Sequence, residues 1–101
     1  MNIAKMMKQA QRMQSEMARV QQEVAVLEKA FKVGGAIEVV ARGDGSLVRI
    51  TIAPEAVDPA DVAGLQDMIL TAVNGALSAV RKEADQRMAA VTGGMSLPGL
   101  M

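Results

Sequence analysis

The amino-acid sequence predicts an α+β fold, in which a long N-terminal helix is followed by a small antiparallel sheet of two to three strands and a long C-terminal helix. Three patterns support this: heptad spacing of apolar residues over the first 31 positions, alternating apolar residues around a glycine-rich turn, and a second apolar helical face after residue 58. A chain of 101 residues can form one core but not two. We therefore expect a single domain over residues 1–94 and a flexible tail over residues 95–101.

The N-terminal helix is predicted from apolar residues whose spacing alternates between three and four. They are Ile3, Met6, Ala10, Met13, Met17, Val20, Val24, Leu27 and Phe31. Such an a/d seam, uninterrupted by Gly or Pro, predicts a helix from Asn2 to about Lys29. At about 1.5 Å per residue this helix is roughly 42 Å long, whereas a compact domain of this size is about 33 Å across. Part of the helix must therefore project, and its seam needs a cover from a second helix of the same chain, a second copy, or both.

Two antiparallel strands are predicted on either side of Gly43-Asp44-Gly45. Residues alternate in apolar character from Ile37 to Arg42 and again from Leu47 to Ile52. The Asp-Gly pair provides the positive φ that tight hairpin turns require. A third, short strand is predicted around Ala30 to Val33. A sheet this small needs a helix on one face or a partner sheet at its edge.

The second helix is predicted to follow Pro54, which closes the strand region. Asp58-Pro59-Ala60-Asp61 is typical of a helix start with Asp58 as the N-cap and Pro in the first turn. An apolar face then continues to Thr92-Gly93-Gly94, which resembles a glycine stop.

Two places inside this helix are unusual. Gly64 is expected to separate a short first turn from the main helix. Asn74 and Gly75 are poor helix formers, which indicates a close backbone contact at their level, beside Ala72 and Ala76.

The composition excludes much chemistry. His, Cys, Tyr and Trp are absent, and Phe31 is the only aromatic residue. Thiol nucleophiles, Ser-His triads and zinc sites of the usual N/S kind are therefore excluded, and we predict no catalytic residue, metal, cofactor or small-molecule substrate. Without aromatic residues for base stacking, any bound nucleic acid should be duplex. We expect a cytoplasmic protein, with no signal peptide and no membrane contact, because no apolar run approaches about 20 residues.

The charges are balanced in number but not in position. Eleven Lys and Arg oppose eleven Asp and Glu, so no overall basic field attracts nucleic acid. On the first helix, however, Lys5, Arg12 and Arg19 lie at successive c positions and Lys8 at an f position, which predicts a basic stripe away from the seam. Further cations occur near the end of the second helix, and an acidic region lies between the two groups. The cations of the second helix are Arg81, Lys82 and Arg87. The acidic region consists of Glu55, Asp58, Asp61 and Asp67.

The stripe allows two interpretations. It either contacts DNA phosphates, since Lys and Arg on an exposed helix attract a duplex regardless of sequence, or it is a solvated helix face. The methionines of the seam are likewise either core residues or an adaptable groove for partner helices.

A resemblance favours the DNA interpretation. The segment Met6-Met7-Lys8-Gln9-Ala10-Gln11-Arg12-Met13-Gln14, with Asn74, Thr92-Gly93-Gly94-Met95 and Pro98-Gly99, resembles the YbaB/EbfC family of bacterial nucleoid-associated proteins. The resemblance covers nearly the whole chain. It implies a homodimer joined through sheets and neighbouring helix segments, with long helices projecting as paired arms, that binds duplex DNA and has roles in nucleoid organisation and gene regulation.

The resemblance supports some of the DNA-binding candidates more directly than others. Lys8 and Arg12 lie inside the matching motif, whereas Lys5 and Arg19 depend on the stripe alone. Arg81, Lys82 and Arg87 match the family loosely. We therefore predict a non-enzymatic, homodimeric protein of the cytoplasm and nucleoid that contacts the DNA backbone through these seven residues. The alternative is a coiled-coil-like adaptor or holdase that uses the Met-rich seam.

Overall fold

The computed structural model describes residues 2–92 and confirms the α+β arrangement. Helix α1 (Ile3–Ala25) is followed by strands β1 (Glu28–Val33), β2 (Ile37–Arg42) and β3 (Leu47–Ile52), a short 3-10 turn (Pro54–Ala56) and helix α2 (Val62–Thr92). The predicted tail over residues 95–101 lies outside the described residues, as do the two glycines of the predicted helix stop.

Helix α1 is shorter than predicted, because it ends at Ala25 and not near Lys29. The amide of Leu27 donates to the carbonyl of Val24 at 3.1 Å, and Lys29 already pairs with Ala41 across β1 and β2. The prediction was wrong here because a spacing of four suits both one helical turn and two steps of alternation in a strand. Leu27 and Phe31 therefore continue the heptad pattern in sequence, although Leu27 lies in the connection after α1 and Phe31 lies in β1.

The three strands form an antiparallel sheet in the order β1-β2-β3. The predicted hairpin is confirmed, with Gly45 at a φ of +91° in its turn. The Asp44 carboxylate stabilises this turn by accepting from the Ser46 amide at 2.9 Å. The predicted third strand is also confirmed as β1, which starts two residues earlier and places Phe31 opposite Val39.

The start of α2 differs from the prediction in two respects. Asp61, not Asp58, provides the cap, because its Oδ1 accepts from the Gly64 amide at 3.1 Å. Asp58 instead accepts from the Ala60 amide at 2.9 Å in the preceding turn. Gly64 does not separate a first turn from the rest, because α2 is continuous. A side chain at Gly64 would meet the Asp61 carboxylate, so glycine leaves room for the cap.

The core lies between α2 and the central strand. Ile37, Val39 and Ala41 are buried on one face of β2, and they pack against Ala72, Ala76 and Val80 of α2. The close contact expected near Gly75 is present: a β-carbon there would lie within 2.6 Å of ring carbons of Phe31. The aromatic ring of β1 therefore occupies the space that an alanine side chain would need.

The projection of α1 is also confirmed. The described chain is elongated, with extents of 72 × 26 × 16 Å. The half of α1 nearest the sheet packs against α2, where Val20 is buried and Met13 and Met17 are half-buried. Towards the N-terminus, Ile3 remains 68% exposed and Met6 53% exposed. One part of the seam is thus covered by the same chain and the other is not.

Substitution of Gly75 by Ala should lower the free energy of unfolding by about 1–2 kcal/mol, because overpacking against Phe31 outweighs the gain in helix propensity of up to about 1 kcal/mol. In a Phe31→Ala background the same substitution should instead stabilise the protein. Urea unfolding of the four variants measures both effects. Asn74→Ala, on the exposed neighbouring position, is the control and should stabilise in either background. Stabilisation by Gly75→Ala with Phe31 present would contradict the packing argument.

Candidate nucleic-acid interface

Three predicted DNA-binding residues lie together on the uncovered half of α1. Lys5, Lys8 and Arg12 are exposed, and within the described residues none of them forms an ion pair. Lys5 and Arg12 are seven residues apart, which corresponds to about 10.5 Å along the helix axis. No acidic residue occurs between Asn2 and Ser15, so this surface carries uncompensated positive charge. We refer to Lys5, Lys8 and Arg12 as the arm cations.

The helix end strengthens this positive surface. The Asn2 side chain accepts from the Lys5 amide at 3.1 Å and caps the helix. The first turn contains no acidic side chain, so the partial positive charge of the helix N-terminus is not opposed there. Both the side chains and the backbone therefore favour an anion at this end of α1.

Arg19, the fourth predicted stripe residue, is in a different electrostatic environment. Its guanidinium contacts Glu16 at 2.6 Å and Glu23 at 2.5 Å, one turn to either side. The hydrogen bond and charge of Glu16, followed by those of Glu23, raise the pKa of Arg19. The three residues together carry a net charge of −1. The structure therefore leaves Arg19 less available to a phosphate than the arm cations.

The cations of α2 form a separate group. Arg81 and Lys82 are exposed and have no ion pair within the described residues. Arg87 donates from Nε to the Glu83 carboxylate at 3.0 Å, and Glu83 also contacts Lys29 at 3.5 Å. Arg12 and Val91 line one groove between the helices, and Arg81 is ten residues, about 15 Å, further back along α2. The structure thus does not bring Arg81 and Lys82 into contact with the arm cations.

The acidic region lies towards the other end of the molecule. Gly75 lies against Phe31, and Glu83, two turns later in α2, pairs with Lys29, which is nearer the start of β1. Helix α2 therefore runs antiparallel to β1, from the β1–β2 turn towards α1. The segment before α2 is tied to the β1–β2 turn, because the Ala53 amide donates to the Ala36 carbonyl at 2.7 Å. The acidic residues lie in this segment and in the first turns of α2; they are Glu55, Asp58, Asp61 and Asp67. Positive and negative surface charge are therefore separated along the long axis, although the net charge is zero.

Arg49 is an exposed cation that the charge pattern along the sequence does not single out. Arg49 lies on β3 opposite the buried Val40, on the face of the sheet turned away from α2, and it forms no ion pair among the described residues. The alternation from Leu47 to Ile52 could have predicted the exposure of Arg49, because apolar Val48 and Ile50 flank it and must point to the opposite face of the strand.

The seam is mostly occupied by the chain itself, which weakens the adaptor alternative. Met13 and Met17 pack towards α2, and Val20, Ala90 and Val91 line the groove beside them. Of the methionines in this helix, Met6 and Met7 remain exposed. A groove able to bind a long partner helix is therefore not formed by the described residues.

The arrangement as a whole is that of a binding protein with a projecting charged helix. Within residues 2–92, no group of three metal-binding side chains is close enough to hold an ion. Neither α1 nor the described part of α2 is long and apolar enough to cross a membrane. Unpaired cations on an exposed helix are typical of proteins that bind a nucleic-acid backbone.

Comparison with known proteins specifies the class. A model described as the YbaB/EbfC DNA-binding family matches residues 1–95. A nucleoid-associated protein of Pelotomaculum thermopropionicum is 48% identical, covering 98% of this chain and 95% of the relative. Nucleoid-associated proteins of Clostridium novyi (46% identical, 99% of this chain and 89% of the relative) and Anaeromyxobacter sp. (39%, 99% and 98%) are also similar. The chain therefore belongs to the YbaB/EbfC DNA-binding family, which is not an enzyme family, and the resemblance found in its sequence is confirmed.

The Glu83 pairs should make stability depend on pH. Hydrogen bonding from Arg87, and then the charge of Lys29, lower the pKa of Glu83 below its ordinary value of 4.5. A lowered pKa stabilises the folded state above the unfolded pKa, and this contribution is lost as pH falls through the folded pKa. Glu83→Gln should therefore destabilise the protein at pH 7 and have little effect near pH 3. Urea unfolding at both pH values tests this, with Glu55→Gln as a charge-matched control that should show no such difference.

Proposed function

We propose that the protein binds duplex DNA as a homodimer, mainly through contacts between the arm cations and backbone phosphates. The observation that carries this proposal is the cluster of three cations on a projecting helix that have no ion pair among residues 2–92 and no acidic residue beside them in sequence. Membership of a DNA-binding family gives the partner. Arg81 and Lys82 make a secondary contact further along the duplex. Arg19 and Arg87 contact it more weakly, because they already form ion pairs with glutamates.

The homodimer is supported by the surface of β3. This strand lies at the edge of the sheet, and α2 packs mainly over β1 and β2. Ile50 and Ile52 share a face with the core residues Val39 and Ile37, yet Ile50 remains 44% exposed. A second copy placed on this edge would bury these side chains and complete the small sheet.

Two arms per dimer are important for affinity. A neutral chain lacks the long-range attraction of a strongly basic DNA-binding protein. One arm offers only three cations to the duplex, and joining two arms makes the second contact intramolecular. Binding of this kind does not depend on base sequence. It fits a role in nucleoid organisation and a broad influence on gene expression, in keeping with relatives that are named nucleoid-associated proteins.

Salt dependence should report the phosphate contacts. The logarithm of affinity should fall linearly with the logarithm of salt concentration, and the three arm cations on each of two arms should contribute about −5 to that slope. Arm substitutions Lys8→Gln and Arg12→Gln should each reduce the slope by about 1 per arm, because each removes one phosphate contact. Titration of a short duplex by fluorescence anisotropy at several salt concentrations measures this slope.

Two controls make this test specific. Lys32→Gln changes the net charge by the same amount in the sheet, beside Glu38, and should leave the slope unchanged. Arg19→Gln should also change the slope less than Arg12→Gln does. An unchanged slope for Lys8→Gln and Arg12→Gln would refute the assignment to the arm.

Dimerisation should depend on the apolar face of β3. Ile50→Lys places a charge where a second copy would exclude water, and it should convert the dimer to a monomer at micromolar concentration. Sedimentation velocity measures the change. Val26→Lys is the control, because Val26 is well exposed between α1 and β1, away from that face. A stable monomer of the unsubstituted protein, or a dimer that tolerates Ile50→Lys, would contradict this assignment.

A further inference from the structure

The uncovered part of the α1 seam remains without a role in the function proposed above. It comprises the a/d residues Ile3, Met6 and Ala10 together with the adjacent Met7, and we call these four residues the distal seam. Met13 and Val91 line the last groove between α1 and α2, and closer to the N-terminus Met7 is 60% exposed, similar to its apolar neighbours. No described residue buries this patch, although it lies beside the arm cations.

The distal seam continues a surface that already packs helix against helix. Ile3, Met6 and Ala10 occupy the same a/d positions as Met13, Met17 and Val20, which pack towards α2. Knobs at such positions fit the holes of another helix with the same spacing. Because every copy of the chain has this pattern, the distal seam is complementary to a second copy of itself.

Charge places a condition on such pairing. The arm cations lie on the opposite side of the helix from the a/d positions, so two paired arms would still present Lys5, Lys8 and Arg12 outwards. Each arm, however, carries three positive charges and no acidic residue as far as Ser15. Two arms in solution therefore repel each other, and bound phosphates would remove this repulsion.

The available area places a second condition. The three large side chains of the distal seam, Ile3, Met6 and Met7, offer roughly 100 Å² each, so two paired arms would bury about 600 Å² in total. Specific and stable interfaces begin at about 1,200 Å². The contact is too small to hold dimers together in dilute solution, but it suffices between molecules that a common ligand already holds side by side.

We propose that the distal seams of neighbouring dimers pair with each other on DNA, so that DNA binding becomes cooperative along the duplex. This proposal depends on the proposed function, since the duplex both concentrates the arms and neutralises them. The occupant of the distal seam is a second copy of α1 that belongs to a different dimer.

A comparison of short and long duplexes tests the proposal. A duplex of roughly 20 base pairs, at about 3.4 Å each, spans the 72 Å length of one chain, whereas one of about 150 base pairs accepts many dimers. The affinity per site should be about tenfold higher on the long duplex, and the binding curve should be steeper there. The double substitution Ile3→Ser and Met6→Ser should abolish this difference and leave the affinity for the short duplex unchanged. Val26→Ser, an exposed apolar position outside the seam, should retain it.

Cross-linking locates the contact. The chain has no cysteine, so Met6→Cys introduces one thiol in the distal seam and Gln11→Cys introduces one on another side of the same arm. With a short bismaleimide, Met6→Cys should form covalent pairs on the long duplex only, and Gln11→Cys should not.

The outcomes separate the inference from the function on which it rests. If the unsubstituted protein does not bind the short duplex, both the proposed function and the pairing of distal seams are refuted. Retained binding without Met6 cross-links, or cooperativity that survives Ile3→Ser and Met6→Ser, would refute the inference alone. Cross-links on the short duplex would mean that the two arms of one dimer meet. If the Met6→Cys thiol is already shielded from maleimide before DNA is added, the chain covers its own distal seam. Either result would overturn pairing between dimers.

Discussion

Helix α2 approaches the sheet through small side chains, and the rest of the molecule is positioned by this contact. Ala72 and Ala76 are fully buried against the central strand, where Val39 is also fully buried. Small residues bring the helix axis close to the sheet, and Gly75 allows the ring of Phe31 to lie against the backbone. Because α2 is continuous from Val62 to Thr92, the placement set over the sheet also determines where its last turns lie. Those turns support α1.

The distribution of ion pairs follows the same geometry. Near the base of α1, where helices and strands meet, cations are matched with acids: Lys29 with Glu83, and Arg42 with Glu28. Exposed pairs of this kind contribute little stability, typically below about 1 kcal/mol each, but they occupy the charge of both partners. No acidic side chain occurs along α1 before Glu16, and the arm cations have no ion-pair partner in the part of the chain that the structure describes. The functional surface therefore results as much from where acids are missing as from where Lys and Arg occur.

Most of the fold could be predicted from periodicity, and the differences occur where two structures share one pattern. Leu27 and Phe31 suit a helix and a strand equally well, and only the pairing with β2 distinguishes the two. Asp58 and Asp61 both precede a helical pattern, and the cap depends on backbone direction, which residue types do not specify. For the candidate site, the heptad frame located the stripe. The sequence allowed Glu16 to pair with either Arg12 or Arg19. In the structure Arg19 pairs with Glu16 at i−3 and with Glu23 at i+4, a choice that rotamers and competing partners determine.

The uneven support of α1 has a mechanical consequence. All ten residues from Ile3 to Arg12 are exposed, and isolated helices shorter than about 12–15 residues are marginal in water. This stretch stays helical because it extends a nucleus that packing maintains from Met13 onwards. Opening from Asn2 breaks the cap and then one backbone hydrogen bond at a time, without disturbing the core. The arm is thus stiff at its root and increasingly compliant towards its tip, so its first turns can adjust to an irregular surface while the sheet keeps its shape.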